Sequence, residues 1–186
     1  MALGWAKSLS ILSLVITILT LTTQDSHAES AAKMQREARH ALTNLYETTP
    51  GARALARNAA GILVFPSIVK GGFVVGAQYG TGVLFKGDTA TGYYSTASAS
   101  FGFQAGIQKF GYALFFMTEE DLRWLKKSGG WELGVGPSIT LVDQGIAASL
   151  TTTTAQKGIY AFFFDQRGLM AGVGIQGTKV TRIIPD

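Results

Sequence analysis

The period of the apolar positions changes near Ala60. Before it, Met34, Ala38, Ala41, Leu42 and Leu45 recur at spacings of three and four, while Lys33, Arg36, Glu37, His40, Asn44 and Glu47 fall mainly on the opposite side. That stripe predicts an amphipathic helix, with Ser30 placed to cap it and Thr49-Pro50 to end it. Pro is tolerated at the first helical position, so the same dipeptide can open a second helix, Ala52–Ala59. This second helix carries Arg53 and Arg57 one turn apart, and Gly61 is placed to stop it. From Ile62 onward the residues are those of strands. Ile62–Phe65, Phe73–Val75, Gly82–Phe85, Tyr112–Met117, Ile159–Phe164 and Leu169–Ile175 are apolar runs divided by Gly, Pro, Asp and Thr signals. Phe101, Phe103, Ala105 and Ile107 alternate with Gly102, Gln104, Gly106 and Gln108, the period of a strand with one apolar face. One helix interrupts the strands: Thr118 caps Glu119, Glu120 and Asp121, and Lys126-Lys127 close it before Gly129-Gly130, an arrangement that suits the helix dipole.

Composition sharpens this picture. Glycine supplies 23 of 186 residues, well above the usual ~7%. Glycine inside strands marks bends, bulges and close backbone approach, and a sheet that closes needs such kinks. The expected fold is therefore α+β with β dominant: a strongly curved, Gly-rich antiparallel sheet or small closed barrel, with N-terminal helices and one inserted helix.

The first 28 residues read as a signal peptide. Lys7 is a positive n-region, Leu9–Leu21 an apolar h-region, and Ser26-His27-Ala28 a small-residue cleavage site. The apolar run is short of the roughly 20 residues a spanning helix needs. The expected organisation is 1–28 signal peptide, 29–60 helical segment and 61–186 β-rich core, with 29–186 forming one domain of the periplasm or the secreted fraction. Disulfides are ruled out by the absence of Cys, and so is lipid attachment at the processed N-terminus. The net charge of +4 is compatible with anionic lipid, and secretion disfavours nucleic acid as a partner.

Candidate chemistry is sparse. The mature chain has one His, His40, on the polar side of a helix, and no Cys or G-x-S-x-G elbow, so a nucleophilic triad or zinc site is not expected. Glu132 and Asp143 sit among apolar strand residues, where a turn or hydrogen-bonding role outweighs a glycosidase-like one. Gly172-x-Gly174-x-x-Gly177 matches the dinucleotide pattern in letters only. Strand residues follow it where the pyrophosphate requires a helix. No catalytic residue, metal or cofactor is expected.

Four ordered blocks are more specific: VFPSIVKGGFVVGAQYGTGVL (Val64–Leu84), GYYSTASASFGFQAGIQKFGYALFFMT (Gly92–Thr118), GWELGVGPSITLVDQG (Gly130–Gly145) and YAFFFDQRGLMAGVGIQGTKVTRI (Tyr160–Ile183). Together they resemble the SYLF lipid-binding family, in its secreted, single-domain bacterial branch. With the absence of candidate catalytic chemistry, the expected function is non-enzymatic lipid binding at a membrane face. Eukaryotic relatives bind phosphoinositides through a basic amphipathic N-terminal segment, and some bind actin. The corresponding segment here is Lys33–Tyr46. In an envelope, the implied ligand is another anionic phospholipid or a membrane surface, and actin is not expected. The lipid-binding cations expected on this reading are Lys33, Arg36, Arg39, Arg53, Arg57 and Lys70, the last in a Lys-Gly-Gly turn. The rival readings are an envelope structural or protein-interaction module, with an envelope protein as partner, and a small outer-membrane barrel. The continuous apolar runs argue against the barrel, because spanning barrel strands alternate.

Overall fold

The computed structural model describes residues 30–127, 130–142, 157–168 and 177–185. The expected signal peptide, residues 1–28, the predicted strand Leu169–Ile175 and Asp143 lie outside the described residues. So do the side chains of the alternating stretch from Phe101 to Ala105. Met34–Ile184 form one compact unit, and Ser30–Lys33 with Pro185 belong to another.

Helix α1 spans 30–48 and helix α2 spans Pro50–Ala56, with Thr49 as its N-cap and Pro50 in its first turn. Ser30 is already helical, so it is not the cap. The strands are β1 (Gly61–Lys86), β2 (Thr89–Phe116), β3 (Trp131–Glu132), β4 (Ile139–Val142), β5 (Ile159–Gly168) and β6 (Lys179–Ile183). Helix α3 is short, Glu119–Leu122, and a 3-10 turn, Arg123–Lys126, continues it.

The expected short strands are fused. β1 has 26 residues and β2 has 28, joined at the Lys86–Thr89 pair by a turn in which Gly87 takes φ +56°. The internal Gly and Pro signals therefore mark bends and bulges, because glycine lets the backbone turn sharply without leaving the ladder. Both strands fold back on themselves. Thr96 Oγ1 and Tyr112 OH hydrogen-bond at 2.8 Å, although residues 16 apart would lie roughly 50 Å apart in a straight strand. In β1, a Cβ at Gly82 would lie 2.6 Å from Phe65 Cδ1 and against the carbonyl oxygen of Val64. The doubled-over hairpin explains the glycine content better than barrel closure does.

β2 is the hub. It pairs with β1 along one edge, and with β6 at Tyr93–Ala97 and β5 at Gln108–Phe116 along the other. β3 extends β6, and β4 pairs parallel with β5. The sheet is thus mixed where an all-antiparallel one was expected. β4 and β5 are separated by 16 residues of sequence, more than the dozen that a parallel pair requires between its strands. The sheet curls into a half-barrel. The fold is β-dominant α+β.

Around the Tyr112–Phe116 run both faces of the sheet are buried. One carries Leu63, Phe65, Tyr112, Leu114 and Phe116, closed by Leu122, Leu125 and Trp131. The other carries Ile62, Val64, Val83, Phe85, Ala113 and Phe115, covered by Ala38, Ala41 and Leu45 of α1 and Ala52 and Leu55 of α2. Alternate residues of one run go to opposite faces, which is why Tyr112–Met117 is continuously apolar. No helix among the described residues is long and apolar enough to cross a membrane.

Candidate anion-binding clefts beside helix α1

Helix α1 lies across the sheet on its apolar stripe: Ala38, Ala41 and Leu45 are buried, and Met34 and Leu42 are partly so. The stripe is occupied by the sheet and is not free to lie on a bilayer. Two contacts fix the helix at the β1–β2 turn. Gln35 Nε2 donates to Tyr93 OH at 2.5 Å, and Arg39 Nη2 donates to the Asp88 carbonyl oxygen at 2.5 Å. The Arg39 guanidinium also stands 4.9 Å over the Phe85 ring. With the stripe committed, the polar flanks of α1 overhang two clefts.

The first cleft has a volume of about 770 Å³. From α1 it takes Arg36, Glu37, His40 and Asn44; from β1, Pro66 and Ser67; from β2, Lys109 and Phe110; from β5, Asp165 and Arg167. Two bulges build its floor. The register jumps between Phe65 and Ile68 in β1, and between Phe164 and Arg167 in β5, on either side of Phe110-Gly111. Pro66 suits the first bulge because it donates nothing to a ladder. At the second, Asp165 takes φ +52°, the only positive value among the described non-glycine residues. Asp tolerates that region better than most side chains. Bulges re-aim side chains and concentrate beside functional sites, and here they turn Asp165 and Arg167 to the cleft. Gly111 makes the arrangement possible, since a Cβ there would overlap the Phe164 ring. Arg36, Lys109 and Arg167 are exposed and belong to no ion pair among the described residues.

The second cleft, of about 530 Å³, lies on the other flank. It is lined by Arg39, Thr43 and Tyr46 of α1, by Arg53 and Arg57 at α2, and by Phe85 and Asp88 at the β1–β2 turn. Tyr46 is held neutral, its pKa pushed up to about 12 by burial and by the Asp88 carboxylate against the opposing pull of Arg53.

The expected cations therefore scatter. Arg36 enters the first cleft, and Arg39, Arg53 and Arg57 enter the second. Arg39 is tied down, which gives it a structural duty. Lys33 is exposed in the separate small unit. Lys70 is not in a turn: it pairs with Gln108 inside the β1–β2 ladder. Gln108 is buried, and its Oε1 has no partner among the described residues. Lys109 and Arg167 escaped sequence reading because they sit in strand runs, yet Lys109 is the single charge between Phe101 and Phe116, and Arg167 follows Asp165 directly after the Phe162–Phe164 run. Glu132 is an exposed strand residue opposite Lys179. After Gly177, at φ +73°, strand β6 follows with no helix, so the dinucleotide pattern has no structural counterpart there. No group of three His, Asp or Glu side chains among the described residues is placed to hold a metal.

Residues 97–183 match a family model described as Ysc84: Las17-binding protein actin regulator. That match is consistent with the SYLF resemblance of the sequence. The match spans just under half of the chain and runs from the first third of β2 to the end of β6. Lys109, Asp165 and Arg167 thus lie within the SYLF match, whereas α1 and β1 precede it. A search of curated proteins found none that matches the chain.

Proposed function

We propose that the domain is a non-catalytic module that binds an anionic phospholipid at a membrane face of the cell envelope, with the headgroup phosphate in the first cleft. SYLF domains are associated with lipid and actin binding. The observation that carries the lipid reading is the convergence of Arg36, Lys109 and Arg167, from three elements, on one cleft with no ion-pair partner among the described residues. The guanidinium groups offer bidentate donors to phosphate oxygens, and Ser67 and Asn44 add neutral ones. Glu37 and Asp165 limit the net charge of the cleft, favouring a ligand that also presents hydroxyl or ammonium donors. The apolar stripe of α1 has no role in binding, because the sheet already covers it. Arg53 and Arg57 form an auxiliary cationic patch. Lys33 and Lys70 add general attraction to a negative surface. The N-terminal 28 residues are removed on export in this reading, and N-terminal sequencing of the envelope fraction should find Glu29 first.

Vesicle flotation tests the proposal. Each cation near an anionic surface is worth about 1 kcal/mol, so the combined changes Arg36→Ala, Lys109→Ala and Arg167→Ala should weaken binding to phosphatidylglycerol-containing vesicles about a hundredfold. Binding should also fade at high salt, as the screening length falls from about 10 Å at 0.1 M to 3 Å at 1 M. Wild-type-like flotation of the triple variant would remove the cleft from consideration. The second reading is a protein-interaction module, favoured by the family's description as an actin regulator that binds another protein. It gains if the folded protein ignores anionic vesicles altogether.

A further inference from the structure

The first cleft continues, on the same face of the sheet, into exposed apolar surface. Lys109 pairs with Val69 on one side and with Arg167 on the other, and Ile107 pairs with Gly71. Side chains two apart in a strand share a face, so Val69, Ile107, Lys109 and Arg167 all project from the side opposite buried Ile68, Gln108 and Phe110. Ile107 is 73% exposed and Val69 51%. Beyond them the hairpin doubles over. In the returning limb Gly80 faces Ile68 across the fold, its would-be Cβ 2.7 Å from the Ser67 carbonyl oxygen. The neighbours of that internal contact, Val69 and Tyr79, therefore point outward on opposite sides, and Tyr79 is 58% exposed. Single exposed apolar residues need no explanation. Three gathered at one end of the hairpin, on both outward faces and next to cations with no ion pair among the described residues, call for one.

We propose that the doubled-over end of the β1–β2 hairpin is the membrane-penetrating part of the domain. This rests on the lipid reading above and says which part of the molecule enters the bilayer. Ile107 stands two residues beyond Lys109, about 7 Å along the strand. With Lys109 and Arg167 at the phosphate level, Ile107 reaches the acyl boundary, within the roughly 5–10 Å to which interfacial elements sink, and Val69, level with Lys109 in the ladder, borders it. Tyr79 sits on the other face, with the apolar body and polar tip that suit the headgroup level. Phosphate-level cations beside acyl-level aliphatics match an anionic bilayer better than they match a protein groove.

The absence of Cys from the chain makes the test direct. Single variants Ile107→Cys, Val69→Cys and, as a control, Glu120→Cys on α3 are labelled with an environment-sensitive fluorophore. They are mixed with vesicles of phosphatidylglycerol and phosphatidylcholine, or of phosphatidylcholine alone. Labels at 107 and 69 should brighten on the anionic vesicles only and be quenched by lipids spin-labelled near the headgroup end of the acyl chain, and the label at 120 should do neither. Unlabelled Ile107→Ser should lose about tenfold in vesicle partitioning with an unchanged melting temperature, since the side chain is exposed. Flotation of the wild type without quenching at 107 and 69 overturns this proposal and leaves the lipid reading standing. No flotation at all overturns both. Brightening that rises with protein concentration and needs no vesicles would identify a second copy as the occupant, and the proposal would be wrong.

Discussion

At Gly82 a single missing atom sets the geometry of the core. A Cβ would meet the Val64 carbonyl and the Phe65 ring, which belong to the same strand folded back. The obstacle is backbone, which cannot rotate away, so Gly82→Ala should destabilise by about 2 kcal/mol, as overpacked cores do. For a domain of this size that lowers the melting temperature by roughly 4–8 °C, which calorimetry would record. Gly87→Ala is the control: nothing lies within 4 Å of its Cβ position, so its cost is limited to the strain of its positive φ. Arg39 teaches a related lesson. Its hydrogen bond to the Asp88 carbonyl and its stacking on Phe85 mean that Arg39→Ala removes packing as well as charge, so weaker lipid binding by that variant alone would say little about headgroup contact.

Among the elements, α3 shows how a capping sequence acquires a tertiary task. Thr118 Oγ1 accepts from the Asp121 amide at 3.1 Å and donates to Asp121 Oδ2 at 2.7 Å, a reciprocal N-terminal cap. The same Oδ2 accepts from the Gly158 amide at 3.2 Å, pinning the chain just before β5. Asp121 is buried although Glu119 and Glu120 are exposed. Asp121→Ala should therefore cost more than the ~1 kcal/mol of an ordinary cap, about 2 kcal/mol by urea unfolding, whereas Glu120→Ala should stay within about 0.5 kcal/mol. Equal effects would mean that the Gly158 link is without consequence.

For the whole molecule, the buried phenols predict how the fold fails in alkali. Burial raises the pKa of Tyr46 to about 12 and raises that of Tyr112 too, the latter against its hydrogen bond with Thr96. Tyr94 is raised by burial too, with Arg182 opposing. A phenol whose folded pKa exceeds its unfolded value of about 10 stabilises fully below pH 10. That contribution is lost as pH climbs towards 12, because the unfolded chain ionises first. Stability should be flat to about pH 10 and then fall. Tyr46→Phe should make the decline shallower, as followed by thermal melts across the alkaline range.

Much of this was legible in the sequence. The α1 stripe, Pro50 opening α2, the Thr118 cap and the two-faced burial of Tyr112–Met117 all follow from spacing, because helices and strands have fixed periods and each apolar face must be covered. The SYLF resemblance was legible in the blocks around Lys109 and Arg167. Contacts between residues far apart in sequence were not. Whether Gly71, Gly72 and Gly106 end strands or bend them depends on whether Thr96 and Tyr112 meet, and no local pattern encodes that. The cleft likewise needed register: one extra residue in β1 and one in β5 turn Ser67 and Arg167 toward Arg36, which is 131 positions from Arg167 in the chain. Local chemistry chose the elements of this protein and their buried faces. Folding the hairpin over itself decided which charges became neighbours, because side-chain periodicity assigns a residue to a face while only long-range pairing says what lies opposite it.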